Sequence, residues 1–313
     1  MSVSIVIPNY NGERILKKNL PKLLDAVKSY RSGLMEVVIA DDFSTDDSIK
    51  IIEEISQSNK NSNINIKILT SNKNKGFSTN VNKGVAASTG DIIILLNTDV
   101  VPSGDFLIPL LRHFSDEEIF AVGCLNQSVE NGRIVLRGRG IGKWEKGFLV
   151  HRAGSLDKIN TLWISGGSGA FRKEIWDKLG GFDQIYDPFY WEDIDISYVA
   201  QRSGYKTLFE KESVVRHEHD KGAIKNKYNE TEIKKIAYRN QFIFVWKNAD
   251  TDRLLGHIFW LPYHLATGLL GDRPLVIGFL RALLIIGRVF KSRRKARKYF
   301  KISDRQIMQE YKT

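Results

Sequence analysis

The segment DIIILLNTD, residues 91–99, decides the fold of this chain. Its five consecutive apolar residues are typical of a parallel strand covered on both faces, and the polar triplet after them marks the strand's carboxyl end. Outward from this segment, apolar runs alternate with helical patterns, which predicts βαβ units and an α/β fold with a mostly parallel sheet flanked by helices. The other runs are SIVIP at 4–8, EVVIAD at 36–41 and IKIL at 66–69, and the helical patterns lie near 15–29, 47–56 and 78–87.

Polar side chains follow three of the predicted strands at their carboxyl ends. These clusters are Pro8 to Asn11, Asp41 to Ser44, and Asn97 to Asp99. In open α/β sheets, ligands bind beyond the carboxyl ends of the strands. The three clusters are therefore expected to converge on one ligand-binding edge.

The net charge of +11 is concentrated near one end of the chain. Residues 273–301 hold ten basic residues and no acidic residue, which leaves a net charge of +1 for the rest. A basic cluster beside apolar sequence favours an anionic lipid surface over a nucleic-acid partner. The single cysteine, Cys124, excludes an internal disulfide and is interpreted as a core residue. It fits a reducing compartment, and no cleavable signal is expected at the start of the chain.

The character of the sequence changes after about residue 225. We predict one domain at 1–225, made of two parts at about 1–123 and about 124–225. A helical, apolar and basic C-terminal region follows at 226–313.

Two apolar stretches in the C-terminal region, 254–271 and 274–290, are candidates for membrane contact. Pro262 is expected to interrupt the first, and Arg281 and Arg288 lie within the second, so both fall short of the ~20 apolar residues of a membrane span. We therefore predict interfacial membrane helices. A soluble helical subdomain or an oligomer contact is the alternative.

Two acidic positions at strand ends are candidates for ligand binding. Asp41 can accept hydrogen bonds from a base imide or a ribose hydroxyl, although the residues after it also fit a turn and a helix N-cap. Asp99 can bind a hard divalent metal ion that bridges two phosphates, although turns use the same residue types.

The segment WEDID, residues 191–195, combines carboxylates with aromatic neighbours, as a carbohydrate site does. Asp193 can act as a general base, but a solvated acidic helix start explains the same residues equally well. His217 and His219 have a spacing that can bind a metal ion, but paired surface histidines are the commoner case. The segment GGSGAF, residues 166–171, permits close backbone approach to a ligand or forms a tight turn.

Taken in order, these segments resemble the family 2 glycosyltransferases of the GT-A fold, over about residues 3–219. The matching segments are SIVIPNYNG, ADDFSTDDS, NKNKGFSTNVNKGVAASTGDIIILLNTD, GGSGAFRKEIWDKLGGFD, WEDID and a late histidine. The resemblance implies an inverting transfer of a sugar from a nucleoside diphosphate. It makes 1–225 the catalytic domain, with a nucleotide-binding half at about 1–123 and an acceptor half at about 124–225. In it, Asp41 binds the nucleotide, Asp99 holds Mg²⁺ or Mn²⁺ against the diphosphate, and Asp193 deprotonates the acceptor.

The same resemblance implies roles for further residues. His217, with His219 as the fallback, would complete the metal site. Gly167, Trp191 and Glu192 would face the donor sugar or the acceptor. The nucleotide-binding set would be Pro8, Tyr10, Asn11, Asp41, Ser44, Lys75, Gly76, Asn80, Asn97 and Thr98, with Asn82 in the same segment as Asn80.

Three positions depart from the family pattern. Asn97 stands where aspartate is common, so metal binding rests more on Asp99 and His217. Phe43 stands where a small residue is common. Val199 replaces an arginine often found one helical turn after the acidic motif, and that charge is either supplied by Arg172 or Arg202 or absent.

Similar members include rhamnosyltransferase-like enzymes of cell-surface polysaccharide assembly. The resemblance therefore implies a dTDP- or UDP-sugar donor, a lipid-linked or polysaccharide acceptor, and a peripheral location on the inner face of the cytoplasmic membrane. One alternative is a sugar nucleotidyltransferase, which should carry a Gly-rich basic loop where this chain has PNYNGERI. The other is a noncatalytic membrane-peripheral scaffold with the same fold.

Overall fold

The computed structural model describes residues 1–28, 30, 33, 35–60, 63–130, 132–217 and 227–311. The strands are β1 (Val3–Asn9), β2 (Met35–Asp41), β3 (Ile64–Thr70), β4 (Ile92–Leu96), β5 (Val100–Pro102), β6 (Ile119–Glu130), β7 (Arg133–Arg137), β8 (Gly140–Glu145), β9 (Phe148–Ala153), β10 (Ser168–Arg172) and β11 (Lys206–His217). The helices are α1 (Glu13–Val27), α2 (Ser48–Ser58), α3 (Phe77–Ala86), α4 (Leu107–Leu111), α5 (Lys173–Leu179), α6 (Glu192–Arg202), α7 (Glu230–Asn248), α8 (Thr251–Gly271), α9 (Arg273–Leu283), α10 (Ile286–Arg297) and α11 (Asp304–Glu310). Two short 3₁₀ helices occupy Arg112–Ser115 and Gln184–Tyr186.

Nine strands form one mixed sheet in the order β3-β2-β1-β4-β10-β6-β11-β5, with β7 paired to β6. Strands β3, β2, β1 and β4 are parallel, as the apolar runs predict. Side chains alternate between the two faces of this half, so that Ile5 and Ile7 pack with α1 and α2, whereas Val6 packs with α3. Every residue of β2 and β4 is buried as a result.

The strand direction reverses at β10, which is antiparallel to both β4 and β6. Its register sets Ser168 opposite Leu96, so the turn before β10 lies beside the carboxyl end of β4. Strand β11 runs parallel to β6 and ends with His217 opposite Val100 of β5. The expected polar edge is thus extended by the start of β10 and the end of β11. Cys124 is buried in β6, as expected of a core residue.

The helices after residue 227 share a hydrophobic core with α6. Phe242 and Phe244 of α7 are fully buried in one cluster with Tyr198 of α6 and Tyr311 just after α11. Arg293, one of the ten basic residues of the 273–301 stretch, is also buried and donates hydrogen bonds to the last carbonyls of α7. The Arg293 side chain therefore bonds carbonyls at the end of α7, which lack hydrogen-bond partners within the helix.

The expectation that Pro262 interrupts its helix is wrong, because α8 runs continuously through it. Proline removes one hydrogen bond to the carbonyl of Ile258. Ile258 is exposed, so water can bond that carbonyl and the helix continues. Among the described residues, none of the helices combines the length and the apolar character needed to cross a bilayer.

His257 ties α8 to the rest of the molecule and makes stability depend on pH. Its ring is fully buried, accepts a hydrogen bond from Trp246 at 3.1 Å, and lies 2.9 Å from the carbonyl of Gly147. Burial lowers the pKa of His257 from 6.5 to about 4. The unfolded chain therefore takes up a proton below pH 6.5 that the folded protein accepts only near pH 4, so stability falls as the pH drops through this window.

We predict that the free energy of unfolding falls by about 2 kcal/mol between pH 7 and pH 5, because His257 takes up a proton in the unfolded chain and not in the folded protein. Urea unfolding at both pH values should show a correspondingly smaller pH dependence for His257→Gln than for the wild type. Leu255→Gln, at an exposed position of the same helix, is the control because it changes no titratable group, and it should keep the wild-type pH dependence. Equal pH dependence in His257→Gln and the wild type would contradict this assignment.

Candidate functional site

Asp41 joins the ends of β1 and β2. Its carboxylate accepts hydrogen bonds from the Asn9 side chain at 2.7 Å and from the amide and hydroxyl of Ser44. Asn11, with a φ of 49°, accepts from the amide of Thr45 at 2.8 Å and donates its own amide to Ser44. The first two predicted clusters therefore form one hydrogen-bonded surface, with Pro8 and Tyr10 partly exposed beside it.

Asp42, a candidate for nucleotide binding together with Asp41 by its place at the end of β2, positions the segment before α3. Its carboxylate accepts from the amides of Lys75 and Gly76 at 2.8 to 3.0 Å. Gly76 has a φ of 102°, and a Cβ there would lie 2.6 Å from a carboxylate oxygen of Asp187. Asp187 in turn accepts from the amide of Ser78 and the hydroxyl of Thr79, at the first turn of α3. Asp42 thus fixes Lys75 and Gly76 at the edge, and Asp187 fixes the first turn of α3 beside them.

Asn80 and Asn82 make structural contacts. The Asn80 side chain donates to the carbonyl of Ala40 at 2.7 Å. Asn82 pairs with both backbone groups of Phe182, at 2.7 and 2.9 Å. These bonds hold α3 against β2 and against the turn after α5, so nucleotide binding by Asn80 stays a prediction.

The segment Asn97 to Asp99 follows β4 at the same edge. The backbone N–H of Asn97 donates to the carbonyl of Gly167 at 3.0 Å. A Cβ on Gly167 would lie 2.4 Å from the Asn97 side chain. The carbonyl of Thr98 accepts from Asn19 at 3.0 Å. The carboxylate of Asp99 is half-buried, and His217 lies opposite the next residue, Val100.

Asp99 and His217 fit a divalent metal ion by their chemistry. Carboxylate oxygen suits Mg²⁺ and Mn²⁺, and imidazole nitrogen suits Mn²⁺ in particular. In the ranges that the structure describes, no group of three or more His, Cys, Asp or Glu side chains could hold a metal ion. The fallback ligand, His219, lies outside the described residues. An ion at this edge would therefore need ligands from the substrate or from water.

Helix α6 begins with two carboxyl groups in apolar surroundings. Asp193 is half-buried, accepts from its neighbour Ile194 at 2.8 Å, and accepts from the amide of Gly166 at 3.3 Å. Burial raises the pKa of Asp193. Glu192 is only 5% exposed, and its Oε2 makes no hydrogen bond to a described residue. Burial, and then the charge of Asp193, raises the pKa of Glu192 well above its usual value.

The solvated interpretation of WEDID is therefore wrong for Glu192 and Asp195, because both are buried. Asp195 is bonded to Lys247 at 2.5 Å, to Asn248 at 2.7 Å and to the hydroxyl of Tyr186 at 2.8 Å. Its role is to anchor α6. Trp191 is 7% exposed and packs against Phe244 and His151.

The bend that precedes Glu192 is held by α7, which no local sequence pattern indicated. Tyr190 and Trp191 have φ values of 73° and 77°, which side-chain-bearing residues rarely adopt. The buried Asn240 side chain donates to the carbonyls of Tyr186, Phe189 and Tyr190, each at 2.9 Å. Arg239 donates to the carbonyls of Tyr186 and Asp187.

The two arginines considered as substitutes at the acidic motif have other partners. Arg172 donates to the carbonyls of Phe114, Asp116 and Ile119. Arg202 forms ion pairs with Asp250 and Asp304, both at 2.6 Å. Both therefore support the fold.

Known proteins resemble this chain in sequence and in structure. The family model described as glycosyl transferase family 2 matches residues 4–180. The O-antigen chain rhamnosyltransferase RfbN of Salmonella typhimurium is 26% identical over 226 residues, covering 70% of this chain and 67% of the relative.

Two solved structures share the fold. GalNAc-T7 with UDP, GalNAc and Mn²⁺ has a TM-score of 0.63 at 20% identity, over 79% of this chain and 48% of that chain. The mannosyltransferase PcManGT from Pyrobaculum calidifontis, in complex with GDP-Man and Mn²⁺, has a TM-score of 0.58 at 16% identity, over 99% and 84%. The predicted GT-A fold is thus confirmed, and the chain spans about half the length of GalNAc-T7.

We predict that Asn240→Ala loosens the bend before α6. The carbonyls of Phe189 and Tyr190 lose their donor, whereas the carbonyl of Tyr186 keeps Arg239, and each unsatisfied group costs about 1–3 kcal/mol. Hydrogen exchange measured by mass spectrometry should therefore accelerate in peptides covering 189–194, and the unfolding free energy should fall by about 3 kcal/mol.

The matched control is Asn229→Ala, because Asn229 caps the first turn of the same helix at 2.8 Å. Loss of this cap should cost about 1 kcal/mol and leave exchange at 189–194 unchanged. Equal exchange in the two variants would show that Asn240 does not hold the bend.

Proposed function

The chain belongs to glycosyl transferase family 2, and we propose that it transfers a sugar from a nucleoside diphosphate to an acceptor hydroxyl with inversion at the anomeric carbon. One observation carries this proposal. The adjacent residues Gly166 and Gly167 are hydrogen-bonded to Asp193 and Asn97, at 3.3 and 3.0 Å. A single turn therefore joins the carboxylate proposed as the base to the segment proposed to hold the diphosphate.

Asp193 is proposed as the general base. It takes the proton from the acceptor hydroxyl while that oxygen attacks the anomeric carbon from the side opposite the diphosphate. The bond from the anomeric carbon to the phosphate oxygen breaks, and its electron pair leaves with the diphosphate. The raised pKa of Asp193 brings its proton affinity closer to the working pH, which favours general-base action.

Asp99 and His217 are proposed to hold Mg²⁺ or Mn²⁺. When bound, the ion neutralises the charge that develops on the departing diphosphate. Both GalNAc-T7 and PcManGT were solved with Mn²⁺, which supports a divalent metal here. A Cβ on Gly167 would displace the Asn97 side chain, and without one the backbone can approach the donor closely at this point.

Glu192 is proposed to bind a sugar hydroxyl. Burial, and then the charge of Asp193, raises the pKa of Glu192 well above its usual value, which favours the protonated form that can donate a hydrogen bond. Its Oε2 makes no bond to a described residue, so a hydroxyl would satisfy a buried polar group that otherwise costs stability.

The donor is proposed to be a dTDP- or UDP-sugar. Asp41 can accept from a pyrimidine imide because a carboxylate offers about four acceptor positions, and Asn9 and Ser44 occupy three. The similarity to a rhamnosyltransferase, and the UDP of the GalNAc-T7 structure, support this donor class.

The acceptor is proposed to be a lipid-linked or polysaccharide intermediate of cell-envelope glycan synthesis, reached at the inner face of the cytoplasmic membrane. Helices α8 to α10 carry exposed large apolar side chains beside exposed cations, a combination that favours an anionic bilayer. We define these side chains as the apolar face: Leu255, Ile258, Phe259, Tyr263, Leu269, Leu270, Leu280, Leu283, Leu284 and Phe290.

The proposed base is tested with Asp193→Asn. We expect transfer, measured as nucleoside diphosphate released from a panel of UDP- and dTDP-sugars with a membrane extract as acceptor source, to fall by about 10²–10⁴. Calorimetry with UDP or dTDP and Mn²⁺ should give an affinity within threefold of the wild type. Asp177→Asn, an exposed carboxylate paired with Lys173, is the control and should keep full transfer. Normal turnover by Asp193→Asn would exclude it as the base.

Membrane docking is tested by changing Phe259 and Leu270, which are 77% and 91% exposed, to serine. The double variant should sediment at least tenfold less with anionic vesicles, because it loses about 2 kcal/mol or more of apolar burial. Ile108→Ser with Ile134→Ser removes equally exposed apolar residues outside the C-terminal helices and should not change sedimentation. Unchanged sedimentation of the first variant would refute docking through the apolar face.

A further inference from the structure

A cavity of about 480 Å³ lies between the catalytic helix α6 and the C-terminal helix α10. Its walls are the turn at 180–185, Ile196 and Val199 of α6, and Arg288, Lys291 and Lys295 of α10. It opens on the side of α6 that carries Asp195, whereas Asp193 contacts the turn at Gly166. The cavity is therefore separate from the proposed transfer site.

The charge of the cavity is positive. Its lining includes four cations and two carboxylates, a net charge of +2. The carboxylates, Asp183 and Asp195, are both bonded to the buried Lys247, and Asp183 also accepts from Ser292. These two acids are thus satisfied within the protein and leave the α10 cations without a counterion.

The three cations of α10 form one cluster. Arg288, Lys291 and Lys295 are spaced by three and four residues, which sets them on one face of the helix. All three are exposed, and none of their side chains has a hydrogen bond or ion pair with another described residue. Convergent, unpaired guanidinium and ammonium groups bind phosphate oxygens well.

Apolar side chains share the remaining walls of the cavity with the polar residues Asn82 and Gln184. Leu179, Phe182, Ile185, Ile196 and Val199 contribute aliphatic and aromatic surface. Phe290 of the apolar face lies on the same helix as the three cations, outside the cavity lining. A ligand with both phosphate and hydrocarbon parts therefore matches this lining better than free phosphate does.

We propose that this cavity binds the phosphate head group of an anionic lipid from the bilayer on which the apolar face docks. This inference rests on the membrane docking put forward under the proposed function, and it adds a specific site to a general surface attraction. Ser292 of α10 is bonded to Asp183, which reaches Asp195 of α6 through Lys247. A bound lipid would thereby fix the orientation of the catalytic helix relative to the bilayer.

The test compares two triple variants with the same change in charge. R288Q/K291Q/K295Q removes the cavity cations, and R294Q/R297Q/K298Q removes three exposed cations of the same segment that do not line the cavity. Both are measured against vesicles of phosphatidylglycerol and phosphatidylcholine at 1:3. We expect the cavity variant to lose at least tenfold more affinity than the control variant, while the melting temperatures of both stay within 2 °C of the wild type. Lys291→Gln alone provides a milder change and should lose at least threefold.

A second arm identifies the source of the phosphate. Soluble dihexanoyl phosphatidylglycerol should bind the wild type and the control triple variant in calorimetry, but not the cavity variant, and inorganic phosphate at equal concentration should bind none of them. Equal binding of inorganic phosphate would overturn the lipid assignment.

The two proposals can fail independently. Equal loss of vesicle affinity in both triple variants would refute the cavity site while docking stands. Failure of the wild type to bind vesicles would refute docking, and the soluble lipid would then decide the cavity site by itself.

Discussion

The buried ion pair between Lys247 of α7 and Asp195 of α6 is the contact on which the site depends. The two side chains are 5% and 2% exposed and 2.5 Å apart. Burial alone would lower the pKa of Lys247, but the charges of Asp195 and Asp183 raise it, so the lysine stays charged. Such a pair adds little net stability, yet loss of one partner strands the other charge and costs about 3–5 kcal/mol. The pair therefore fixes the position of α6 relative to α7 more than it stabilises the fold.

The C-terminal helices consequently serve two surfaces at once. Their inner side supplies Lys247, Asn240 and the buried aromatic residues that support α6, and Tyr311 reaches back to bond Gln201 of α6 at 2.6 Å. Their outer side carries the apolar face. Removal of the chain after α9 would expose the core that holds Asp193, so membrane contact and catalytic geometry cannot be separated by truncation.

The sequence predicts those parts of the molecule that depend on local patterns. Strands β1, β2 and β4 are continuous apolar runs, and the polar residues after them meet at one edge because parallel strands end together. Asn240 could not be predicted in this way, since its three acceptors lie 50 to 54 positions away. The sequence around Arg293 also gave a wrong indication of where this side chain lies, for a related reason. It belongs to a basic run by composition, but tertiary packing buries it at the end of α7.

Asn80 shows that a sequence motif does not separate residues that contact a ligand from residues that support the fold. Family resemblance marks Asn80 for nucleotide binding, and the structure gives its amide a backbone partner, Ala40. A motif preserves residue types whether they contact the ligand or support the loop that does. Only the contact pattern distinguishes these cases, as it does for Asp42, which holds Lys75 and Gly76 by their amides.

The strained bend before α6 explains why the support from α7 is needed. Each side-chain-bearing residue in the left-handed region costs about 1–2 kcal/mol, and Tyr190 and Trp191 are adjacent. If the bend relaxed, α6 would begin elsewhere and Asp193 would leave Gly166. Because a displacement of about 1 Å can cost about 10²-fold in rate, a base at this position requires a backbone that cannot relax. Asn240 provides that constraint, so the geometry of the acidic motif is set by the helix that follows the matched family region as much as by the motif itself.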